Sequence, residues 1–359
     1  MTTHQDDRRP DPERLKEFAK HVFGALSGAM TSAMICLGDR LGLYRSLAND
    51  GPADSSELAR RTGLSERWVR EWLHQQGAAR VLEYRGDGCF ALTPEGRAVL
   101  ADEHHPAFGC GMFASLPDTI AVVERMPEAF ASGVGLDYDA LGVGGASGVE
   151  RGFAPWYRAL LVPMALPRIE GVVPALERGA RVADVGCGAG VALLEMAQAF
   201  PNSRYVGYDV FEPSVDRATT NANAAGVADR VSFHQLDAST GLLEPHDVIT
   251  TFDVIHDAVD PRAMLRSIRK ALRPDGVYVC LDINCSDRLE ENAGPLGAMF
   301  HGFSVFYCMT TSLANGGVGL GTVGLHEPKV RELCAEAGFS SVRRVPLQNP
   351  FNNLYEVRL

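Results

Sequence analysis

The run 181–190, RVADVGCGAG, puts glycines at 186, 188 and 190 directly behind a short apolar stretch. Gly186 permits a sharp turn, because a residue without Cβ takes positive φ freely. Gly188 and Gly190 let a ligand approach the backbone closely where a helix is expected to start, near Val191. Asp209 follows nineteen residues after Gly190, at the end of a second strand over 205–208. An acid at that place accepts hydrogen bonds from both ribose hydroxyls of a nucleoside. The spacing is not that of the dinucleotide fingerprint, since Val191 stands where its last glycine belongs. A second group lies farther on, in V-I-H-D at 254–257. An imidazole has its pKa near working pH, so His256 at a strand end is a candidate general base. Asp257 would orient it or cap the helix that follows.

These residues need a scaffold that brings strand ends together. Strands are expected over 181–185, 204–208, 231–235, 247–252 and 277–282, and helices near 190–200, 213–226, 260–272 and 326–337. That alternation predicts an α/β fold with a doubly wound sheet. Two further strands, about 341–347 and 352–358, have no helix between them and read as a hairpin, which makes seven. In such sheets ligands lie outside the carboxyl ends of the strands, where strand order reverses. Asp237 and Ala238, after the third strand, fall at such an end, as do the glycines, Asp209 and His256.

Ahead of the sheet lies a mainly helical half. Residues 12–47 read as a helix so rich in small and apolar residues that it should be well buried, in a dimer interface or in the core of one subunit. Over 52–93, Asp54 with Glu57 looks like a capping pair, Gly63 ends a short helix, and Ser65 opens a second with Trp68, Val69, Trp72 and Leu73 on its apolar side. Two short strands around the turn 85–88 complete a winged helix. Arg60, Arg61, Arg67 and Arg70 are interleaved with Glu57, Glu66 and Glu71, so no basic face for DNA results. Pro94 opens another helix behind Thr93. The 131–149 stretch is rich in glycine and small residues and reads as a mobile loop.

With Asp184 ahead of the first glycine, D-V-G-C-G-A-G resembles the nucleoside-binding loop of class I S-adenosylmethionine-dependent methyltransferases. The winged-helix start resembles the small-molecule O-methyltransferases among them, where this unit serves dimerisation and closes the substrate pocket. The likeness is specific over 180–285. It implies S-adenosylmethionine as cofactor, with Gly186 and Gly188 on its methionyl part and Asp209 on the ribose. Asp237 and Ala238 would meet the adenine edge and Phe211 its face. It further implies that His256 takes the proton from an acceptor hydroxyl, and that Trp156, Tyr157 and Met164 line the pocket. The long 285–325 segment between the fifth strand and the next helix is placed to form a wall and lid. Its pocket candidates are Phe300, His301, Phe303, Tyr307 and Met309, and its glycine-rich end is expected to move.

The favoured function is methyl transfer to oxygen of a small aromatic or phenolic molecule, without metal. One alternative is a metal-dependent C-methyltransferase acting on a keto acid, with His256, Asp257 and a third ligand, His301 or Tyr307, from the insertion. Another is a winged-helix regulator that only senses the ligand.

The whole chain bounds the rest. Its 359 residues divide into a winged-helix and dimerisation domain at 1–105, a helical bridge at 106–178 and a cofactor-binding domain at 179–359. Net charge is −11, which disfavours nucleic acid and anionic membranes. No unbroken apolar run reaches the roughly 18 residues of a membrane span. The polar first residues lack a signal-peptide core, and residues 1–11 are expected to be disordered. Eight scattered cysteines without a C-x-x-C pair fit reduced thiols in the cytoplasm.

Overall fold

The computed structural model describes residues 10–141 and 144–359. Of residues 1–11, expected to be disordered, 1–9 lie outside the described residues, as do positions 142–143 of the 131–149 stretch, while Asp11 is ordered as a helix cap. The chain forms two compact units that divide between Glu103 and His104. The helical bridge thus belongs to the same unit as the sheet.

In the first unit, α1 (Pro12–Arg40) opens on Asp11, whose side chain accepts a hydrogen bond from the Arg14 N–H at 2.9 Å. The single helix expected to Leu47 is in fact two. Gly42, at φ +70°, breaks it before α2 (Leu43–Asp50). Near its end α1 packs closely, and a Cβ on Gly38 would lie 2.5 Å from the Trp72 ring. Most of α1 is not buried in its own unit, because Leu15, Phe18, Val22, Phe23, Leu26 and Met30 are exposed. The core-helix reading is therefore wrong for those positions. By length and composition α1 also passes the test for a membrane span, which counting unbroken apolar runs missed.

Asp54 caps α3 (Ser55–Thr62) through the Glu57 N–H at 2.8 Å, and Gly63 ends it at φ +70°. Ser65 precedes α4 (Glu66–Ala78) but makes no side-chain cap bond. Val69, Trp72, Leu73 and Gln76 form the buried stripe of α4, at the spacing of one helix face. Trp68 is one residue out of that phase and is exposed, contrary to expectation. The hairpin β1 (Glu83–Gly86) and β2 (Cys89–Ala91) follows. Thr93 then caps α5 (Pro94–Leu100) through the Gly96 N–H. All four arginines are paired: Arg60 and Arg61 with Glu57, Arg67 with Glu71, Arg70 with Glu66.

The second unit holds a seven-stranded sheet in the order β5-β4-β3-β6-β7-β9-β8. Its strands are β3 (Arg181–Val185), β4 (Arg204–Asp209), β5 (Val231–Gln235), β6 (His246–Phe252), β7 (Leu272–Ile283), β8 (Ser341–Val345) and β9 (Asn352–Arg358). The first five are parallel, and β9 pairs antiparallel with both β7 and β8. The central strands are apolar on both faces because helices cover both. Val182 and Leu193 belong to one core layer, Ile249, Leu265 and Ile268 to the other. The chain runs outward from β3 on one side and resumes at β6 on the other, so the crevice of the fold lies at the carboxyl ends of β3 and β6.

Two segments expected to be mobile are tied down. A Cβ on Gly135 would lie 1.8 Å from the Thr310 carbonyl oxygen, and the Leu136 N–H donates to Thr310 Oγ1 at 2.7 Å. Much of the rest of the 131–149 stretch is helical, with Tyr138–Leu141 as a 3₁₀ turn and Gly144–Trp156 as an α-helix. In the glycine-rich end of the insertion, a Cβ on Gly317 would lie 2.5 Å from Ser312 Oγ. Val318 N–H donates to the Val259 carbonyl at 3.2 Å. Glycine serves close packing here, not motion.

Candidate active site

The glycine loop is fixed from below. The N–H groups of Gly186 and Cys187 both donate to the Tyr208 carbonyl, at 2.8 and 3.1 Å, which ties the turn after β3 to β4. Gly186 has φ +70°, and a Cβ there would strike Val254 at 2.5 Å. Gly188 has φ +51° and faces open space, so it is the glycine that leaves room for a ligand. Gly190 differs from expectation. Its Cβ would meet the Phe233 ring at 2.6 Å, so this glycine serves packing on β5.

Asp209 ends β4 with both oxygens engaged, accepting from the Gly188 N–H at 2.8 Å and the Phe211 N–H at 2.9 Å. Each oxygen retains a lone pair for a ribose hydroxyl. Burial raises the Asp209 pKa, and those backbone donors oppose the rise. Asp237 accepts from the Ser239 N–H at 2.9 Å, which orients its carboxylate, and Ala238 is buried beside it. Asp184 is buried and accepts from Thr250 Oγ1 at 2.6 Å. Burial pushes its pKa up to about 7.

At the end of β6 the chain turns through Asp253, at φ +58°, whose carboxylate accepts from Asn352 Nδ2 at 2.6 Å. Burial, with Asp282 close by, pushes Asp253 up to about 8. His256 follows, almost fully buried. Its Nδ1 meets Asp282 Oδ1 at 2.7 Å and its Nε2 meets Cys308 Sγ at 3.3 Å. Burial of the ring opposes its charge, but Asp282 and then Cys308 outweigh it and hold the pKa well above the ordinary imidazole value. Asp257 takes neither role expected of it. Asp282 orients the histidine, and Asp260 caps the helix Pro261–Ala271 through the Ala263 N–H at 2.8 Å. Asp257 is a further acid beside the site, raised by burial to about 7.

Asp282 and Cys308 escaped sequence reasoning. Asp282 left a trace, as the one carboxylate in the apolar run YVCLDI at 278–283. Cys308 left none. It ends the π-helical turn Ser304–Cys308, and such turns collect at functional sites. Another π-helix, Tyr157–Ala165, starts at the expected pocket residues.

The remaining candidates separate. Tyr157 is half-buried with its hydroxyl near Asp253 and Asp184, and its ring packs 5.5 Å from Phe252. Trp156 packs on the same layer, and its Nε1 is buried without a partner among the described residues. Met164 is half-buried. In the insertion, Phe300 is buried, and Phe303, Tyr307 and Met309 are half-buried. His301 is exposed and does not join the site. The third donor beside His256 and Asp257 is Cys308, neither His301 nor Tyr307, and the three bring one ligand atom each within 4.8 Å of one another. Tyr138, another residue missed in the sequence, lies between the two halves. Its ring is 6.0 Å from Phe211 and 5.9 Å from Tyr307. Its hydroxyl pKa is raised first by Asp257 and then by burial.

Glycine loop, strand-end acid and buried histidine share one crevice, and the sequence over it matches a known family described as a methyltransferase domain. Residues 176–312 are a methyltransferase domain. Residues 29–101 match the Rv2258c-like winged HTH domain. The chain is 32% identical over 126 residues to the ubiquinone biosynthesis O-methyltransferase of Neisseria meningitidis serogroup C (strain 053442), covering 34% of this chain and 51% of that one. It is 35% identical over 112 residues to the 27-O-demethylrifamycin SV methyltransferase of Amycolatopsis mediterranei (strain S699), covering 30% and 40%. The chain thus spans about half the length, or less, of these curated relatives. Its fold is that of human N-acetylserotonin methyltransferase in complex with SAM (TM-score 0.70, 17% identity, 100% and 99% coverage). It is likewise that of the mitomycin 7-O-methyltransferase MmcR (TM-score 0.67, 20% identity, 97% and 99% coverage).

The donor set of the methyltransferase domain fits S-adenosylmethionine. Gly188 leaves open space at the loop, and Asp184, Asp209, Asp253 and Asp257 gather at the strand ends with burial raising the pKa of each. A cation nearby favours the charged form of carboxyls so placed, and the cofactor carries both a sulfonium and an ammonium group.

Proposed function

We propose that this chain methylates a hydroxyl group of a small aromatic or phenolic molecule, with His256 as the base. The buried Asp282–His256 pair beside the glycine loop carries this reading. S-adenosylmethionine, when bound, supplies the electrophilic methyl group. Gly186 and Gly188 face its methionyl part, Asp209 its ribose, Asp237 and Ala238 the adenine edge, and Phe211 the adenine face.

Asp282 fixes the ring so that Nε2 is the working nitrogen. The acceptor hydroxyl takes the place at Nε2 that Cys308 fills in the unliganded chain. His256 must be uncharged to act as base, whereas Asp282 and Cys308 favour its charged form. A sulfonium nearby lowers the pKa by charge repulsion, so the base is freed when cofactor binds. Tyr138, Tyr157 and Tyr307 supply aromatic surface that suits a planar acceptor and excludes water. Carbon methylation with a metal on His256, Asp257 and Cys308 is the second reading, favoured by the closeness of those three donors. Dissolved metal chelator would abolish that activity and spare the first.

The exposed apolar face of α1 supports a homodimer. The paired arginines of the winged helix speak against phosphate binding, and the free thiols fit a cytoplasmic protein. The test is transfer of labelled methyl from S-adenosylmethionine to a panel of small phenols. Transfer to one or more of them is expected. Cofactor binding without transfer to any acceptor would favour a ligand sensor.

A further inference from the structure

Cys308, His256 and Asp282 stand in a line. The thiol is 3.3 Å from Nε2, and Nδ1 is 2.7 Å from Asp282 Oδ1. That is the geometry of a nucleophile, its base and the base's orienter. The line is built from three separate parts of the chain: the turn after β6, the carboxyl end of β7 and the π-helical turn of the insertion. All three residues are buried, and Asp282 is wholly so. Asp282 also accepts from the Ile283 N–H at 2.8 Å, which locks Oδ1 toward the ring. Its Oδ2 is buried with no partner among the described residues, leaving the carboxylate uncompensated except by the histidine. Methyl transfer to an external hydroxyl does not use the thiol at all.

We propose that Cys308 is a modification site: a thiol activated by His256 and Asp282 that adds to soft electrophiles of acceptor size, such as planar enones and quinones. The S–H proton passes to Nε2, and sulfur forms a bond to the β-carbon of the unsaturated carbonyl. The displaced π-electron pair moves to the carbonyl oxygen, and the resulting enolate takes the proton back from the imidazolium. No oxidant or second substrate enters. Tyr307, next in the chain, and Tyr138 beside it give the approach its aromatic surface. The other titratable groups around His256 are Asp253, Asp257 and Cys285. Burial, with Asp282 next, pushes the Cys285 thiol up to about 12, so it does not compete. Modification fills the place at Nε2 that the proposed acceptor needs, and therefore silences methyl transfer.

The experiment is alkylation of the full chain by N-ethylmaleimide at pH 6.5, mapped by peptide mass spectrometry. Cys89, half-exposed in the hairpin, is the internal reference thiol. We expect Cys308 to label at least about tenfold faster than Cys89, His256→Gln to abolish that lead, and Asp282→Asn to reduce it. An unchanged Cys89 rate and a single cooperative thermal melt above the assay temperature show that the variants are folded. Equal rates for Cys308 and Cys89, or a lead that survives His256→Gln, would overturn the proposal. Labelling that appears only after chelator treatment would overturn it too, since the sulfur would then be a metal ligand. Calorimetry with S-adenosylmethionine on the unlabelled protein separates the two readings. Loss of cofactor binding counts against the methyltransferase function and leaves the thiol result standing.

Discussion

Replacing Asp282 by Asn changes one charge in the middle of the site and almost no volume. In the wild type its Oδ1 accepts from His256 Nδ1 at 2.7 Å in a wholly buried setting. A hydrogen bond to a charged group contributes about 1.5–3 kcal/mol. At about 1.36 kcal/mol per pKa unit, losing it should lower the His256 pKa by about 1–2 units. The acid limb of the kcat/KM profile, where the base becomes neutral, should therefore move to lower pH by about that amount. The plateau should fall as well, because an amide at this position no longer fixes the ring as firmly, and a lost base costs about 10²–10⁴ at most. The new amide nitrogen would sit where Oδ2 has no partner, so the melting temperature should also drop. The assay is methyl transfer across pH 5.5–9.5, read at temperatures where the variant is folded. An acid limb that stays in place, or moves to higher pH, would show that Asp282 does not set the proton affinity of the working base.

Asp209→Ala should weaken S-adenosylmethionine binding by about 1.5–3 kcal/mol in calorimetry, through the lost bonds to ribose. Unchanged affinity would remove Asp209 from the site. Affinity for S-adenosylmethionine should rise as pH increases through about 7 to 8, because Asp184, Asp257 and Asp253 ionise in that range and then attract the cation. Deprotonation of His256 acts in the same direction, and the uncharged sulfur of S-adenosylhomocysteine should show a weaker dependence; a flat or falling profile would contradict the acidic cradle. Phe18→Glu with Phe23→Glu on the exposed face of α1 should convert a dimer into a monomer in light scattering. A wild-type monomer at micromolar concentration would leave that face without its proposed partner.

The sheet was legible because its signals are local. Each central strand is a short apolar run, and a parallel sheet buried on both faces needs no more than that to be read. The glycine loop and Asp209 were legible for the same reason, with turn, strand end and spacing all within one stretch of chain. What lay across the chain was not. His256 could be placed at a strand end, but its partner comes from β7, and adjacency in sequence pointed wrongly to Asp257. Cys308 reaches Nε2 at the end of a π-helical turn, and a reading at 3.6 residues per turn does not anticipate that register. Trp68 shows the converse error: it is apolar and next to the buried stripe, yet one residue out of phase and exposed. Gly317, Gly319, Gly321 and Gly324 were read as freedom because composition does not reveal the close packing that requires them.

The central claim is that His256 takes the acceptor's proton during methyl transfer. Comparing the wild type with His256→Ala, in turnover of a phenolic acceptor and in S-adenosylmethionine affinity on the same samples, tests it most directly. The account predicts turnover lower by about 10²–10⁴ with affinity not weakened. Equal turnover in the two proteins would contradict it.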